Sequence, residues 1–377
     1  MFAKTMRTFG CAAIACLVLG GFCLAGYYED AYKAYSENNL DEAIKILEEG
    51  ATAAPNDEQL QHLLGQTYFK MKQYDKAIEA LKKTIMLAPE IDAAHFLLGY
   101  CYTLRDPKTD KKPDWFEASN SFSKAVELKP DKFNYLSNYG HALLELKKYT
   151  QALVPLKQAY ETEEGSKDYK TAMDYGIALQ ANKQNEEAIK LLEKAAELNP
   201  EKYQPLVYLG NLYIDLNKYE ELKSLSEKLI ALQPDVGRGY TFRGIGQIQT
   251  KDYAAAETSF RKAIELDPQD ATAYYNLGLA LDGKGSGNQD MIDAFAKAIN
   301  LSGANVPGDW YYRLGLAYEK EAGIDKERAI RNDESRARCL RNLNKAKEFY
   351  SKAGDNANAK RQLGSVNEQI RNLDTIR

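Results

Sequence analysis

An all-α array of repeated helix pairs is the fold class that the sequence predicts, and three observations predict it. Glycines recur at Gly65, Gly99, Gly140, Gly176, Gly210, Gly244, Gly278 and Gly315, with gaps of 34, 41, 36, 34, 34, 34 and 37 residues, and Ala31 stands 34 before the first. Prolines keep step: Pro55, Pro89, Pro200, Pro234 and Pro268 each follow a small residue of that series by 24 positions, and Pro130 joins after a seven-residue insertion. Within each period lie two stretches with apolar residues at helical intervals, such as 59–71 and 74–87, parted by a short polar turn. A fixed period of this length marks a stacked array, because no single unit can bury its own apolar face.

Each element has its own reason. Glycine inside a helix is about 1 kcal/mol worse than alanine, so eight in one phase need a cause. Close packing of the two helices supplies it, because a Cβ there would push the backbones apart. A second small series, Ala43, Ala77, Ala152, Ala188 and Ala256, with Ala118 displaced by seven, plays that part on the second helix. Proline ends each unit where it cannot continue a helix.

Leu64-Gly65-x-x-Tyr68 followed by Tyr74-Asp75-Lys76-Ala77, Leu81 and Pro89 resembles the tetratricopeptide repeat. Gly244, Tyr253-Ala254-Ala255-Ala256, Phe260, Ala263 and Pro268 match it again, as do Gly210, Tyr213, Tyr219 and Pro234, although Leu222 stands where a small residue belongs. The resemblance implies a right-handed superhelical solenoid of about nine repeats over 26–354. Insertions are expected near 105–114 and 320–345, and a capping helix over 355–377. Leu363, Val366, Ile370 and Leu373 give that last helix one apolar side, as the end of an array requires.

Residues 1–25 read as targeting. Lys4 and Arg7 precede an uncharged run centred on Cys11–Leu19, and Cys23-Leu24-Ala25 offers the small residues of a cleavage site. Cleavage after Ala25 is expected, which places the chain outside the cytoplasm, in a bacterial periplasm. A retained inner-membrane anchor and lipidation of Cys23 are the alternatives. Cleavage would leave Cys101 and Cys339 alone, no disulfide framework, and 48 basic against 54 acidic residues, a net charge of -6.

Composition narrows the function. With 28% charged and 44% hydrophobic residues and a mean hydropathy of -0.53, the chain is neither a multi-span membrane protein nor disordered. A net charge of -4 offers no basic footprint for nucleic acid, so a protein or peptide partner is expected instead. Membrane contact is expected only through an uncleaved N-terminus. Three histidines, His62, His95 and His141, fall in successive repeats with no metal-ligand spacing, and Asp282–Asn288 lacks the spacing of a phosphate loop. Glu186-Glu187 and Glu220-Glu221 sit at helix starts, where the macrodipole favours acid. No catalytic set, metal site or cofactor is expected.

The family resemblance points to the first helices, which line the concave side of such solenoids. Residues three before, one after and four after each repeat glycine face the groove. Here they are Tyr28, Tyr32, Tyr35; His62, Gln66, Phe69; Phe96, Tyr100; His141; Met173, Ile177; Val207, Asn211, Ile214; Ile245, Ile248; Tyr275, Leu279; and Tyr312. Family members that clamp a terminal carboxylate use Lys and Asn at these places; only Asn211 fits, so that clamp is absent. Apolar and aromatic lining suits a peptide segment with hydrophobic anchors. Two sets stand out among the 26 tyrosines: eight that lie three or nine after a glycine serve the repeat, and Tyr28, Tyr32, Tyr35, Tyr100, Tyr275 and Tyr312 mark the groove. The basic stretch 320–347, with Arg328, Arg331, Arg338 and Arg341, offers a second interface or a salt-bridged helix face. The expected function is a non-catalytic interaction scaffold of the cell envelope. An accessory subunit of polysaccharide or outer-membrane assembly, or of an enzyme, is the alternative.

Overall fold

The computed structural model describes residues 26–104, 112–285, 288–330 and 332–375. The targeting segment, most of the first insertion and Arg331 therefore lie outside the described residues. Every element within them is helical apart from turns, and the chain divides into two compact units, Met1–Asn199 and Pro200–Arg377.

The first unit is five helix pairs: α1 (residues 26–36) with α2 (Leu40–Ala53), α3 (Glu58–Lys70) with α4 (Tyr74–Leu87), α5 (Asp92–Thr103) with α6 (Trp115–Leu128), α7 (Phe133–Glu145) with α8 (Tyr149–Glu161), and α9 (Tyr169–Ala181) with α10 (Asn185–Leu198). The second holds α11 (Gln204–Asp215) with α12 (Tyr219–Leu232), α13 (Gly237–Gln249) with α14 (Tyr253–Leu266), α15 (Ala271–Lys284) with α16 (Asn288–Ser302), α17 (Gly308–Ala329) with α18 (Asp333–Lys352), and a last helix α19 (Ala357–Asp374). This is the all-α repeat architecture expected from the glycine and proline phases.

Within a pair, the turn has one recurring form. Asn38, Lys72, Lys147, Lys183, Asn217 and Lys251 each lie seven residues after a small residue of the glycine series, and all have φ between 56° and 62°. The residue after each returns its N–H to a carbonyl of the last turn, as Gln73 does to Tyr68 at 2.9 Å and Lys218 to Tyr213 at 2.8 Å. That bond satisfies a helix-end carbonyl and offsets a left-handed conformation that disfavours a side chain by about 1–2 kcal/mol. In the eighth pair Gly285 takes the same place with φ 71°, which assigns the glycine-rich segment a structural task. Side-chain caps by Asp57, Asp114, Asp168, Asp252 and Asp270 start several of the helices.

The repeat glycines correct the expectation in one respect. What a Cβ would strike is a side chain of the partner helix, not its backbone: Leu81 at 2.8 Å from Gly65, Phe122 at 2.7 Å from Gly99, Leu156 at 2.4 Å from Gly140 and Phe260 at 2.6 Å from Gly244. These large residues sit four after the alanine series, so small and large positions alternate along the second helix. The sixth pair reverses the order. Leu222 takes the small place and Ser226 the large one, and Phe242 of α13 fills the gap over Gly210 at 2.3 Å. The departure noted in sequence is thus compensated from the next repeat.

The ninth pair lacks the turn. Its seventh residue after Gly315 is Ala322, buried in the middle of the 22-residue α17, and the chain reverses only after Ala329. Arg338 on α18 reaches back to both carboxylate oxygens of Asp325 at 3.0 and 3.1 Å, tying the lengthened helices together. Then α19 packs Val366 and Leu373 onto α17 and α18.

In both units successive first helices approach each other (α3 and α5, α7 and α9, α13 and α15) more closely than successive second helices do among the described residues. The first-helix face is therefore the inner face of each unit.

Candidate binding face on the first helices

In the first unit the inner face carries a chain of rings. Tyr28 and Tyr32 stack at 6.0 Å on α1, with Tyr32 52% exposed. Tyr35 lies beneath the Lys70 ammonium at 4.1 Å, and burial pushes its phenol up. His62 and Gln66 meet at 2.9 Å one helical turn apart. Burial holds the His62 imidazole below its ordinary value, and its Nδ1 has no hydrogen-bond partner among the described residues.

The densest cluster spans α3, α5 and α7. Phe69 meets Tyr100 edge-on at 5.8 Å, Tyr100 leans on Phe96 at 6.1 Å, and Phe96 stacks on Tyr135 at 4.6 Å. Phe96 also touches Phe122 of α6 at 5.6 Å, which anchors the cluster to the core beneath Gly99. A cleft of about 450 Å³ opens over Phe69, Phe96 and Tyr100, walled by Phe133, Asn134, Ser137 and Asn138 of α7 and by Asp168 and Lys170 at the start of α9. It shares Phe96, Phe133 and Asn134 with a hollow of about 680 Å³ that continues to Asp131, Lys132, Tyr135 and Thr162–Glu164. Tyr100 is 37% exposed in the midst of a packed helix face.

The cleft rests on a polar buttress. Asp92 accepts from Lys132 Nζ at 2.8 Å and from Tyr135 Oη at 2.7 Å. Burial would push the Asp92 carboxyl up, but those two donors prevail and hold it below the usual carboxylate range. Across the next interface Ser137 and Thr171 exchange a hydroxyl bond at 2.9 Å, and His141 Nδ1 meets the buried Asp174 carboxylate at 2.9 Å while its ring stands edge-on to Trp115. His141 is thus committed to joining α7 to α9. Met173 and Ile177 are half-buried, Ile177 against the Leu143–Leu156 core.

Sequence reasoning missed Phe133, Asn134 and Asn138, and passed over Ser137 although it lies three before Gly140. Phe133 lies seven before Gly140, one helical turn ahead of the three positions used, so extending the same stripe by a turn would have found it.

The second unit treats its matching residues differently. Ile245, expected on the groove wall, is buried at 9% exposure. Tyr275 stacks on Trp310 at 4.7 Å and donates its hydroxyl to Asp309, and burial together with that carboxylate pushes the phenol well up. Tyr312 packs on Tyr350 at 5.9 Å. Tyr275 and Tyr312 are half-buried against these neighbours and Ile245 is buried, so this face leaves less open ring surface than Tyr100 does. Asn211 is exposed, and Val207, Ile214, Ile248 and Leu279 are half-buried.

Of the basic stretch, Arg328 and Arg341 are exposed. Arg338 is a correction: besides Asp325 it bonds Glu334 at 2.9 Å, so its guanidinium serves the α17–α18 contact. Among the described residues no group of three His, Cys, Asp or Glu could hold a metal ion, and no helix is long and apolar enough to cross a membrane. His95 sits beside the Pro89 carbonyl at 2.9 Å. Cys101 and Cys339 are buried free thiols, Cys101 pushed up to about 12 by burial, which keeps it protonated and inert.

A family model described as the tetratricopeptide repeat matches 168–202 and 206–236, one described as a TPR repeat matches 248–285, and one described as subunit 3 of the anaphase-promoting complex, cyclosome, matches 36–105. The BBSome complex member BBS4 of Bos taurus is 22% identical, covering 76% of this chain and 60% of its own. The Hsp70-Hsp90 organizing protein 3 of Arabidopsis thaliana is 26% identical, covering 63% of this chain and 44% of its own. The chain thus spans less than two thirds of either relative. Among solved structures, the C-terminal part of a TPR repeat-containing protein from Cytophaga hutchinsonii superposes with a TM-score of 0.51 at 17% identity, covering 66% of this chain and 99% of that one. That likeness concerns the fold alone.

Proposed function

The chain belongs to the tetratricopeptide repeat family, and on that premise we propose that it works as a protein-interaction scaffold whose binding face is the aromatic cleft of α3, α5 and α7. The carrying observation is Tyr100, a large ring left 37% exposed between Phe69 and Phe96 where an array built only for stability would cover it. Exposed aromatics in a preformed cleft are the usual anchors of protein recognition, since they bring much apolar area with few torsions to fix. The names of two relatives, a member of a complex and an organizing protein, support binding as the mode of action.

The setting we propose is the cell envelope. It rests on Lys4, Arg7 and the apolar run that follows. Mass spectrometry of the exported chain tests it: a mature N-terminus at Gly26 is expected, and a chain retaining Met1 in the soluble cytoplasmic fraction contradicts it.

The binding reading is tested with Tyr100→Ala and with Phe96→Ala/Tyr100→Ala. Both variants are expected to lose the partner that the parent chain co-purifies, while circular dichroism keeps its helical signal. Undiminished recovery by both variants sinks the reading.

A further inference from the structure

Resting on the cleft just proposed, we infer that it selects peptide segments carrying a lysine or arginine next to an apolar anchor. Four carboxylates, Asp131, Glu163, Glu164 and Asp168, line the cleft and the hollow that continues from it, against two ammonium groups, Lys132 and Lys170. Their commitments sharpen the balance. Lys132 is neutralised by Asp92 at 2.8 Å, Asp168 is spent in capping α9, and Glu163 pairs with Lys167 at 2.8 Å. Asp131 and Glu164 remain exposed at the hollow with no ion pair among the described residues, and Lys170 lines the adjoining cleft.

Behind this rim stand aromatic faces. Phe96 and Tyr135 form a stacked pair, and the Lys132 ammonium already rests 4.7 Å from the Tyr135 ring centroid. That ammonium is also bonded to the Tyr135 hydroxyl at 3.1 Å, and the Tyr135 ring, 5% exposed, is taken up by Phe96 and Lys132. A guest cation would instead find the rim carboxylates Asp131 and Glu164, whereas a guest carboxylate would meet like charge. The apolar half of the guest belongs over Phe69 and Tyr100, at the other end of the trough. A side chain entering the hollow and a neighbour two positions along an extended peptide lie on the same side, which suits two pockets sharing Phe96 and Phe133.

The test is selection from short random peptides displayed on phage, using the full chain as bait. The recovered pool is expected to be enriched in Lys and Arg beside an aliphatic or aromatic residue. A synthetic peptide from it should bind Asp131→Asn/Glu164→Gln about five- to tenfold more weakly, with a flatter salt dependence. It should bind Tyr100→Ala still less well. A pool enriched in Asp and Glu, or one without charge preference, overturns the basic selectivity; if Tyr100→Ala still abolishes its binding, the cleft itself stands. Binding that survives both Tyr100→Ala and Phe96→Ala/Tyr100→Ala, or failure to recover any peptide, overturns the selectivity and the cleft together.

Discussion

The first helices of the two units treat their aromatic side chains differently. In the first, Phe69, Phe96 and Tyr100 form a ring cluster that lines a cleft and leaves Tyr100 open. In the second, Tyr275 is stacked on Trp310 and bonded to Asp309, Tyr312 lies on Tyr350, and Ile245 is buried. Position in the repeat fixes which way a side chain points, and the side chains packed around it decide how much of it a ligand can reach.

Replacing the rings separates the two cases. Tyr100→Ala should weaken partner binding by at least about 30-fold, the cost of removing a central anchor, with little change in the melting midpoint. Tyr312→Ala should do the reverse, lowering the midpoint through a cavity against Tyr350 while binding is kept. Titration calorimetry and thermal melts on both variants read the contrast. Equal binding losses would erase the distinction between the units.

The next effect is on the packing that both units share. Gly140→Ala places a Cβ within 2.4 Å of Leu156 and should destabilise the first unit by about 1–2 kcal/mol after the gain in helix propensity, as urea midpoints will report. Gly364→Ala meets nothing within 4 Å and serves as its control in the second unit, where no loss is expected.

A smaller change should follow from the ninth pair. Arg338→Met removes the bidentate hold on Asp325, whose carboxyl that guanidinium keeps below the usual range. Because the Arg338 side chain is 43% exposed, solvent screens the pair and the loss should be small, diminishing at high salt. In the opposite direction, Lys183→Gly relieves a left-handed residue at φ 62° and should raise stability by about 0.5–1 kcal/mol.

The smallest effect is a pH dependence confined to the first unit. Burial lowers the folded pKa of His62 from 6.5, so the unfolded chain takes up the proton first. The stability that neutral His62 contributes is complete above pH 6.5 and declines as pH falls below it toward the folded value. Urea midpoints of the parent should drop over that interval more steeply than those of His62→Gln. Parallel curves would show that His62 titrates alike in both states.

How much of this was legible beforehand differs by level. Gly65 through Gly315 and the proline phase were enough for the helix pairs, since each records a local constraint repeated in one chain. The left-handed turn was also written there, in the Asn or Lys seven residues after six of the small residues, but it looks like ordinary polar surface until φ is known. The compensation of Ser226 by Phe242 could not be read, because two departures 16 residues apart cancel only through a contact between repeats. The site was half legible. Phe96 and Tyr100 followed from their register, but the partial burial of Tyr275 and Tyr312 depends on Trp310 and Tyr350, whose packing no periodicity expresses. Arg338 teaches the same lesson for charge: a basic run counts as an interface only after its internal partners are subtracted.

The central claim is that the open ring of the first unit, not the more packed rings of the second, touches the partner. A photoreactive benzophenone side chain introduced at Tyr100 and, in a separate chain, at Tyr312 tests this directly in the producing cell. The account predicts a partner adduct from position 100 and none from position 312. An adduct from position 312, with none from position 100, would contradict it.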